Sequence, residues 1–305
     1  MKNKFLILCS IIMFLPAVLR GGSGTTSANF LKLPQGNRAT AMGSSFAAIA
    51  EGPTAVYWNP AGLAVGFLNE GRMVYNRWVS GIHYGFAAYR HDQAIGGFGL
   101  GITYLNSGAI TQRPSGRAEE GTYKFENIAV TAGQGVRINE NFNVGVNLKF
   151  IGENTAGKTA NALAVGLGGQ YSDNIDENHL LMVGISLDNL GTKMGYDSKY
   201  HLPAVIRVSV ADETLGGKLT GGAEVDYYIT DDSVVGGVGM EFSPVHFLHL
   251  RGGYRFGKEI NRLPYGITLG FGIEYVEDLE YLIDYSFAPM GDLGFVNRVG
   301  LGIRF

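Results

Sequence analysis

Carboxylate and cationic side chains recur along the chain from residue 149 onward. If they met in one site, the carboxylates could act as general acids or bases, or hold a cation. A second explanation is favoured, because buried charges need partners: the group forms a neutralising network across neighbouring strands. Its members are Lys149, Glu224, Asp226, Glu241, Arg251, Arg255, Glu274, Asp284 and Arg304.

Other residue patterns that carry catalysis do not converge. The six histidines are scattered, and none stands beside a serine in a hydrolase-like context. The glycine-rich run from Gly96 to Gly101 precedes no helix, which argues against a phosphate-binding loop. The only cysteine, Cys9, lies in an N-terminal apolar run. We therefore predict no enzyme, no cofactor and no metal site.

The last strand shows which elements position these charges. Val299, Leu301, Ile303 and Phe305 fall on one parity, whereas Arg298, Gly300, Gly302 and Arg304 fall on the other. Side chains of a strand alternate between its faces, so one face is apolar. This pattern is typical of a transmembrane β-barrel strand. The terminal aromatic residue resembles the closing strand of bacterial outer-membrane proteins, which implies that Val299, Leu301, Ile303 and Phe305 form an assembly signal for the barrel assembly machinery.

The same alternation recurs upstream. In the last six strand-like segments, all charges take the parity opposite to the apolar residues, as expected if lipid contacts one face, where an Arg near the midplane costs about 2 to 4 kcal/mol. Fourteen segments of strand length predict an all-β, transmembrane antiparallel barrel of about 14 strands, an even number. They are Gly71–Val79, Gly81–Arg90, Gln93–Asn106, Tyr123–Ile138, Phe142–Gly152, Asn161–Tyr171, His179–Leu190, Leu202–Ala211, Lys218–Ile229, Ser233–Phe242, His246–Phe256, Pro264–Val276, Leu279–Phe287 and Phe295–Phe305.

Connection lengths predict the orientation of the barrel. Bacterial barrels keep turns short on the periplasmic side and long outside. If both termini are periplasmic, long connections such as Ser107–Thr122, Glu153–Ala160 and Gly191–His201 face out. Ser172–Asn178 is the one long turn on the periplasmic side.

The N-terminal 28 residues read as a secretory signal peptide. Lys2 and Lys4 precede an apolar run that is shorter than the ~20 residues of a membrane helix, and we place cleavage between residues 22 and 28. The alternative is that this segment is not cleaved and is retained as an anchor helix. Removal of Lys2, Lys4 and Arg20 changes the formal net charge from −3 to −6. Neither value suggests nucleic acid as a partner.

Residues 29–66, which we call the hatch, differ from the barrel segment 67–305. Met42, Phe46 and Ile49 have helical spacing. The Asn59–Pro60 step forces Asn59 out of the helical region, and Gly62 allows positive φ, so a fixed turn followed by a compact loop is expected. We predict a plug inside the barrel; the alternative is an exposed amphipathic arm. The hatch turn comprises Tyr57, Trp58, Asn59, Pro60, Ala61 and Gly62.

Composition agrees with a barrel. Glycine accounts for 46 of 305 residues, about twice the usual ~7% share, and charged residues for 17% against a usual ~25%.

The run from Tyr57 to Leu63, with Phe30–Lys32 and Arg38–Met42, resembles the N-terminal signature of the PorV/PorQ family within the FadL-like outer-membrane proteins. The resemblance implies the outer membrane of a Gram-negative (diderm) bacterium, a luminal hatch and an accessory role in type IX secretion with its components and cargo. The wider FadL-like resemblance implies instead a transporter of hydrophobic small molecules. Gly166 departs from the family, since a luminal carboxylate is expected there.

Overall fold

The protein forms a closed barrel around its own N-terminal segment. A computed structural model describes residues 25–77, 81–111, 121–257, 266–289 and 294–305, so the predicted signal peptide lies, up to residue 24, outside the described residues. Within this part of the chain no helix is both long and apolar enough to cross a membrane. Outside the barrel, β4 (Ile110–Thr111) and β5 (Thr122–Tyr123) pair in the connection that follows Asn106.

Fourteen antiparallel strands make the barrel, each beside its neighbours in the chain, and pairing of the first strand with the last closes it. The prediction of a 14-stranded all-β barrel is confirmed. The barrel strands are β1 Glu70–Arg77, β2 His83–Gln93, β3 Gly96–Asn106, β6 Phe125–Arg137, β7 Phe142–Thr155, β8 Lys158–Asp176, β9 His179–Gly191, β10 Val205–Thr214, β11 Leu219–Tyr228, β12 Ser233–Val245, β13 Leu248–Gly257, β14 Ile267–Val276, β15 Glu280–Pro289 and β16 Phe295–Arg304.

The outward and inward faces follow the predicted parity. Val299 and Leu301 on β16 are 53% and 52% exposed, whereas Arg298, which precedes Val299, is buried. Phe305 is exposed, and Ile303 is half-buried on the same face. The outer face is therefore apolar, and the charges face the lumen.

Turn lengths define two ends of the barrel. At the short-turn end, the connections are two to four residues long (94–95, 138–141, 177–178, 215–218, 246–247 and 277–279). The predicted long turn Ser172–Asn178 is wrong, because β8 continues to Asp176. At the opposite, long-connection end, Glu153–Ala160 is not a loop either: β7 and β8 extend through it to a two-residue turn.

The hatch lies in the lumen and consists of short helical turns. It contains the α-helices Asn37–Ala41 and Ala55–Trp58 and the 3-10 helices Asn29–Lys32, Gly52–Thr54 and Pro60–Ala64. Most of its side chains are buried, which excludes an exposed arm. The helix predicted over Met42 to Ile49 does not form, because Gly43 and Ser44 adopt left-handed conformations with φ of 65° and 66°. Met42 and Phe46 are nevertheless buried.

The chain traverses the lumen before the first strand. The Thr25 hydroxyl donates a hydrogen bond to Asp231, in the β11–β12 connection at the long-connection end. Asn69 exchanges two backbone hydrogen bonds with Phe305, each 3.0 Å, at the short-turn end. The expectation that both termini lie at one end is therefore wrong for the described residues: the N-terminal residues cross to the other end.

Candidate functional site: the hatch and the barrel lumen

The turn at Asn59 joins the hatch to the wall. Pro60 disfavours the helical conformation at Asn59, which is extended with φ −159° and ψ 106°. The Asn59 Oδ1 accepts a hydrogen bond from the Ala61 amide at 3.2 Å, and its Nδ2 donates to Ala47 O at 3.0 Å and to Gly169 O at 3.1 Å. One side chain thus caps the following helix, holds the neighbouring hatch segment at Ala47 and reaches β8.

Gly62 is needed for a reason different from the predicted one. It is not among the residues with positive φ. A Cβ added at Gly62 would lie 2.0 Å from the Ala50 carbonyl oxygen. Only glycine therefore lets these two parts of the hatch pass each other.

Tyr57 and Trp58 tie the hatch turn to the first residues of the hatch. The Tyr57 hydroxyl donates to Leu31 O at 2.9 Å, and Trp58 Nε1 donates to Gln35 O at 2.9 Å. Burial raises the pKa of the Tyr57 hydroxyl, although the Arg207 charge acts in the opposite direction. The hydroxyl therefore stays protonated, and remains a donor, at physiological pH.

Polar side chains of the wall hold the hatch backbone from several directions. Gln170 Nε2 donates to Ala47 O at 3.0 Å and to Ala50 O at 2.9 Å. The Glu224 carboxylate accepts from the amides of Phe46 and Ala47 at 2.8 and 2.6 Å. Buried backbone groups of an irregular segment need such partners. Asn147 and Ser186 donate in the same way, to Val56 O and Trp58 O.

A belt of luminal glycines lets the hatch approach the strands. A Cβ at Gly145 would lie 2.2 Å from the carbonyl carbon of Pro60, and one at Gly237 would lie 2.0 Å from Gly43 O. Real Cβ atoms do not approach other atoms so closely, so any larger residue displaces the hatch. We call these residues the glycine belt: Gly97, Gly135, Gly145, Gly184, Gly237, Gly239 and Gly253.

The predicted charge network divides into two groups. The first lies toward the short-turn end, where Arg251 contacts Glu241 and Asp284, and Arg304 contacts Glu274 at 3.3 Å. Arg38 of the hatch joins it through Glu241 at 2.8 Å. Sequence reasoning missed further members, which are Arg38, Glu51, Glu70 and Arg72.

The second group surrounds Lys149, whose Nζ lies 2.8 Å from Asp188 and 2.6 Å from the Asn189 side-chain oxygen. Gly166 leaves the room for this pair, since a Cβ there would lie 2.5 Å from Asp188 Oδ1 and 2.7 Å from Asn147 Oδ1. The carboxylate expected at Gly166 is thus supplied by Asp188 on the next strand.

Three predicted network members, among the described residues, have no close ion pair. Glu224 binds the hatch amides instead. Asp226 lies 3.9 Å from the Arg207 Nε, too far for a hydrogen bond. Arg255 forms no salt bridge with any residue that the structure describes. Sequence reasoning also missed Arg207, which no parity argument distinguished from other strand residues.

One serine does lie beside a histidine, contrary to expectation. Ser243 Oγ is 2.8 Å from His249 Nδ1, and His249 Nε2 is 3.4 Å from Glu274. The same Glu274 carboxylate contacts Arg304, so these residues extend the ion-pair network. Across the described residues, no group of histidine, cysteine and carboxylate ligands could hold a metal ion.

At the long-connection end, the start of the hatch is fixed by Asp231. The Lys32 ammonium lies 2.7 Å from its carboxylate, and the Thr25 hydroxyl donates to it at 2.5 Å. Burial alone would raise the pKa of Asp231, but the hydrogen bonds from Lys32 and Thr25 and the Lys32 charge lower it. Asp231 is therefore ionised at neutral pH and anchors the segment.

Comparison with known proteins gives the same architecture. No protein-family model and no curated protein matches the sequence. Among solved structures, the chain is similar to the Ralstonia pickettii toluene transporter TbuX, with a TM-score of 0.58 and 14% identity over 88% of this chain and 97% of that one. It is also similar to the Pseudomonas putida toluene transporter TodX, with a TM-score of 0.57 and 14% identity over 88% of this chain and 96% of that one. For a Pseudomonas aeruginosa FadL homologue the TM-score is 0.54 and the identity 10%, over 90% of this chain and 98% of that one. The fold is that of FadL-like barrels.

Proposed function

We propose that this chain is an outer-membrane channel for hydrophobic small molecules, closed by its own hatch. The observation that carries the proposal is a lumen filled by an N-terminal segment, held through side-chain hydrogen bonds and a glycine belt rather than covalently. Fourteen strands enclose more space than side chains alone can fill. Two solved barrels of this architecture are described as toluene transporters, which supports hydrophobic molecules as the substrate class.

Placement in the outer membrane of a diderm bacterium follows from the surface. Large apolar side chains such as Leu148, Leu167 and Leu269 are more than half exposed on the outer face, as a lipid-facing wall requires. We place the long-connection end outside and the short-turn end, with Phe305, in the periplasm. The start of the hatch then lies near the outer mouth.

Passage requires the hatch to move. One cavity between the hatch and the wall of β1 and β16 has a volume of about 30 Å³ and is lined by Gln35, Arg38, Val74 and Leu301, among others. A water needs roughly 10–15 Å³ of such space, so this cavity has room for two or three waters and not for an aromatic ring. The hydrogen bonds of Asn59 and Gln170 must therefore open, or the segment must shift against the glycine belt, during transport.

Uptake by intact cells tests the proposal. Cells with a lipopolysaccharide outer membrane that express the chain should accumulate radiolabelled toluene faster than cells expressing the same chain without Phe305. Equal initial rates, with the full-length barrel present in the outer membrane, would contradict a channel function.

The second candidate is an accessory role in type IX secretion, favoured by the PorV/PorQ-like residues from Tyr57 to Leu63. None of the solved neighbours named above is described as a secretion component. Deleting the gene in its own organism separates the two candidates. Loss of surface proteins that bear the type IX C-terminal signal favours secretion; retained export with slower toluene uptake favours the channel.

A further inference from the structure

The outer wall of the barrel carries a trough along β2, on the face that meets lipid. Gly85 pairs with Tyr75 on β1 and with Tyr104 on β3, and all three take the outward-facing parity. Neighbouring strands lie about 4.8 Å apart, so the backbones that carry the two rings are roughly 10 Å apart, with only glycine between them. The resulting cavity has a volume of about 350 Å³ and is lined by Tyr75, His83, Tyr84, Gly85, Tyr104 and Asn106.

Hydrogen bonds at the outer end of the trough hold both aromatic walls in place. The Tyr75 hydroxyl lies 2.7 Å from His83 Nδ1, and the two rings stack with 6.1 Å between their centroids. The Tyr104 hydroxyl donates to Glu126 at 2.9 Å and accepts from Asn106 Nδ2 at 2.9 Å. Neither ring has to be ordered when a ligand enters, which lowers the cost of binding.

The trough continues toward the middle of the membrane. Ala87, the next outward-facing residue of β2, lies between Met73 and Ile102, which are both exposed. The bulky Tyr89 follows. From His83 to Tyr89 the strand rises roughly 20 Å, and a tilt of about 35–45° reduces this to about 15 Å along the membrane normal, half of the ~30 Å hydrocarbon core. We call this feature the β2 trough; its depth matches one leaflet.

The open end of the β2 trough carries positive charge at the level of the lipid headgroups. Arg77 pairs with His83 across β1 and β2. Its side chain is exposed and forms no salt bridge with any residue that the structure describes. On the other side, Lys124 balances the charge of Glu126 at 3.0 Å. The Arg77 guanidinium is therefore available for a phosphate, which it can bind with two parallel hydrogen bonds.

We propose that the β2 trough binds an acyl chain of lipopolysaccharide, with a phosphate of the headgroup on Arg77. The trough is continuous with the lipid-facing wall, and its small floor between apolar walls suits a hydrocarbon chain. Its open end lies at the long-connection end of the barrel, which the proposed function places outside, so the lipid that reaches it belongs to the outer leaflet. This lipid site rests on that orientation and is separate from the path through the lumen.

Native mass spectrometry of the full mature chain in detergent tests the site, with deep-rough lipopolysaccharide as the probe. Gly85→Leu fills the trough, and the barrel should tolerate it, because a Cβ there would meet only Val74 O, at 3.8 Å. It should lower the affinity about tenfold, since the chain loses its apolar contacts. The matched control is Gly252→Leu, at an outward-facing glycine of β13 where a Cβ would also meet one atom at 3.8 Å; it should bind like the parent.

The headgroup contact is tested with the same probe after removal of its phosphates. Arg77→Gln should weaken binding of intact lipopolysaccharide severalfold, because it removes charged hydrogen bonds, and should leave binding of the dephosphorylated lipid unchanged. Equal losses for both lipids would remove the phosphate from the proposal and overturn it.

Two further outcomes would overturn the lipid site. Equal affinity of the parent and Gly85→Leu would place the lipid elsewhere, and equally tight binding of phosphatidylethanolamine would reduce the trough to an ordinary part of the lipid-facing wall. Should Gly85→Leu fail to form a heat-modifiable barrel, Ala87→Leu blocks the same trough one step further in.

Toluene uptake separates this site from the proposed function. Because the trough lies outside the lumen, cells expressing Gly85→Leu should take up toluene like the parent; slower uptake would mean that the trough serves the channel and would overturn its separate role. Bound lipopolysaccharide without toluene uptake by the parent would refute the channel and leave the lipid site standing.

Discussion

Replacing Gly145 with alanine should open the channel while the barrel stays folded. A Cβ on Gly145 would lie 2.2 Å from the Pro60 carbonyl carbon and 2.4 Å from the Ala61 amide nitrogen. Carbon atoms pack at about 3.5–4.0 Å, so the hatch turn must retreat by more than about 1 Å. The pairing partners Gly135 and Gly168 lie beside Gly145 within the sheet, so the strand register is not disturbed.

The magnitude follows from the contacts that the retreat breaks. The two Asn59 hydrogen bonds to Ala47 O and Gly169 O are worth about 0.5–1.5 kcal/mol each, and overpacking costs about 1–3 kcal/mol. The closed position is therefore weakened by at least about 2 kcal/mol, which raises the open population about thirtyfold. Conductance in planar lipid bilayers measures this population directly.

Gly221→Ala is the matched control, because a Cβ there meets no atom within 4 Å; it should conduct like the parent. Pro60→Gly tests the same turn from the side of the hatch and should also raise conductance. If Gly145→Ala runs as a heat-modifiable barrel yet stays as closed as the parent, the turn at Asn59 does not hold the hatch.

Three further predictions concern orientation, assembly and pH. In intact cells, an impermeant thiol reagent should label Asp197→Cys before Asn141→Cys; the reverse order would invert the barrel. Deleting Phe305 should leave protease-sensitive periplasmic protein, and a heat-modifiable truncated barrel in the membrane would disprove its role as an assembly signal. The contacts in the folded state lower the pKa of Asp231, so Asp231 stabilises the start of the hatch at pH values above its unfolded pKa near 3.8. This stabilisation is lost as the pH falls below that value. A fluorophore on Asn29→Cys, the exposed first residue of the hatch, should therefore gain mobility in acid, whereas Asp231→Asn should make it mobile, and pH-independent, throughout.

The barrel was predictable because its information is local. Alternation of apolar and polar residues assigns the two faces of each strand, and turn residues mark where one strand ends and the next begins. The number of strands and the face of each residue therefore follow from spacing along the sequence alone. The errors occurred at connections. The polar residues of Ser172–Asn178 and Glu153–Ala160 suggested loops, yet the strands continue through most of both segments. In these segments apolar and polar residues no longer alternate in a way that indicates which side chains are buried.

The contacts of the hatch could be predicted from the sequence less well than the position of its turn in the chain. Asn59 was identified because proline constrains its neighbour, whereas the partners Arg38, Asp188 and Arg207 depend on how strands and hatch are staggered in space. Spacing also suggested a helix over Met42 to Ile49, but the left-handed Gly43 and Ser44 break it. Regular spacing of apolar residues indicates that their side chains are buried, but it does not require a helix. Met42 and Phe46 are buried by the surrounding barrel wall rather than by one face of a helix.

The path of the hatch through the lumen constrains the order of folding. Asn37 donates to Asp284 O on β15 at 2.7 Å and to Arg298 O on β16 at 3.3 Å, while the chain leaves the lumen only at Glu70, the first residue of β1. The barrel is closed at the seam between its first and last strands, where β1 pairs with β16. If the seam closed first, the hatch would have to thread through a finished lumen; if the sheet curls around a hatch already in place, the seam closes last and no threading is needed.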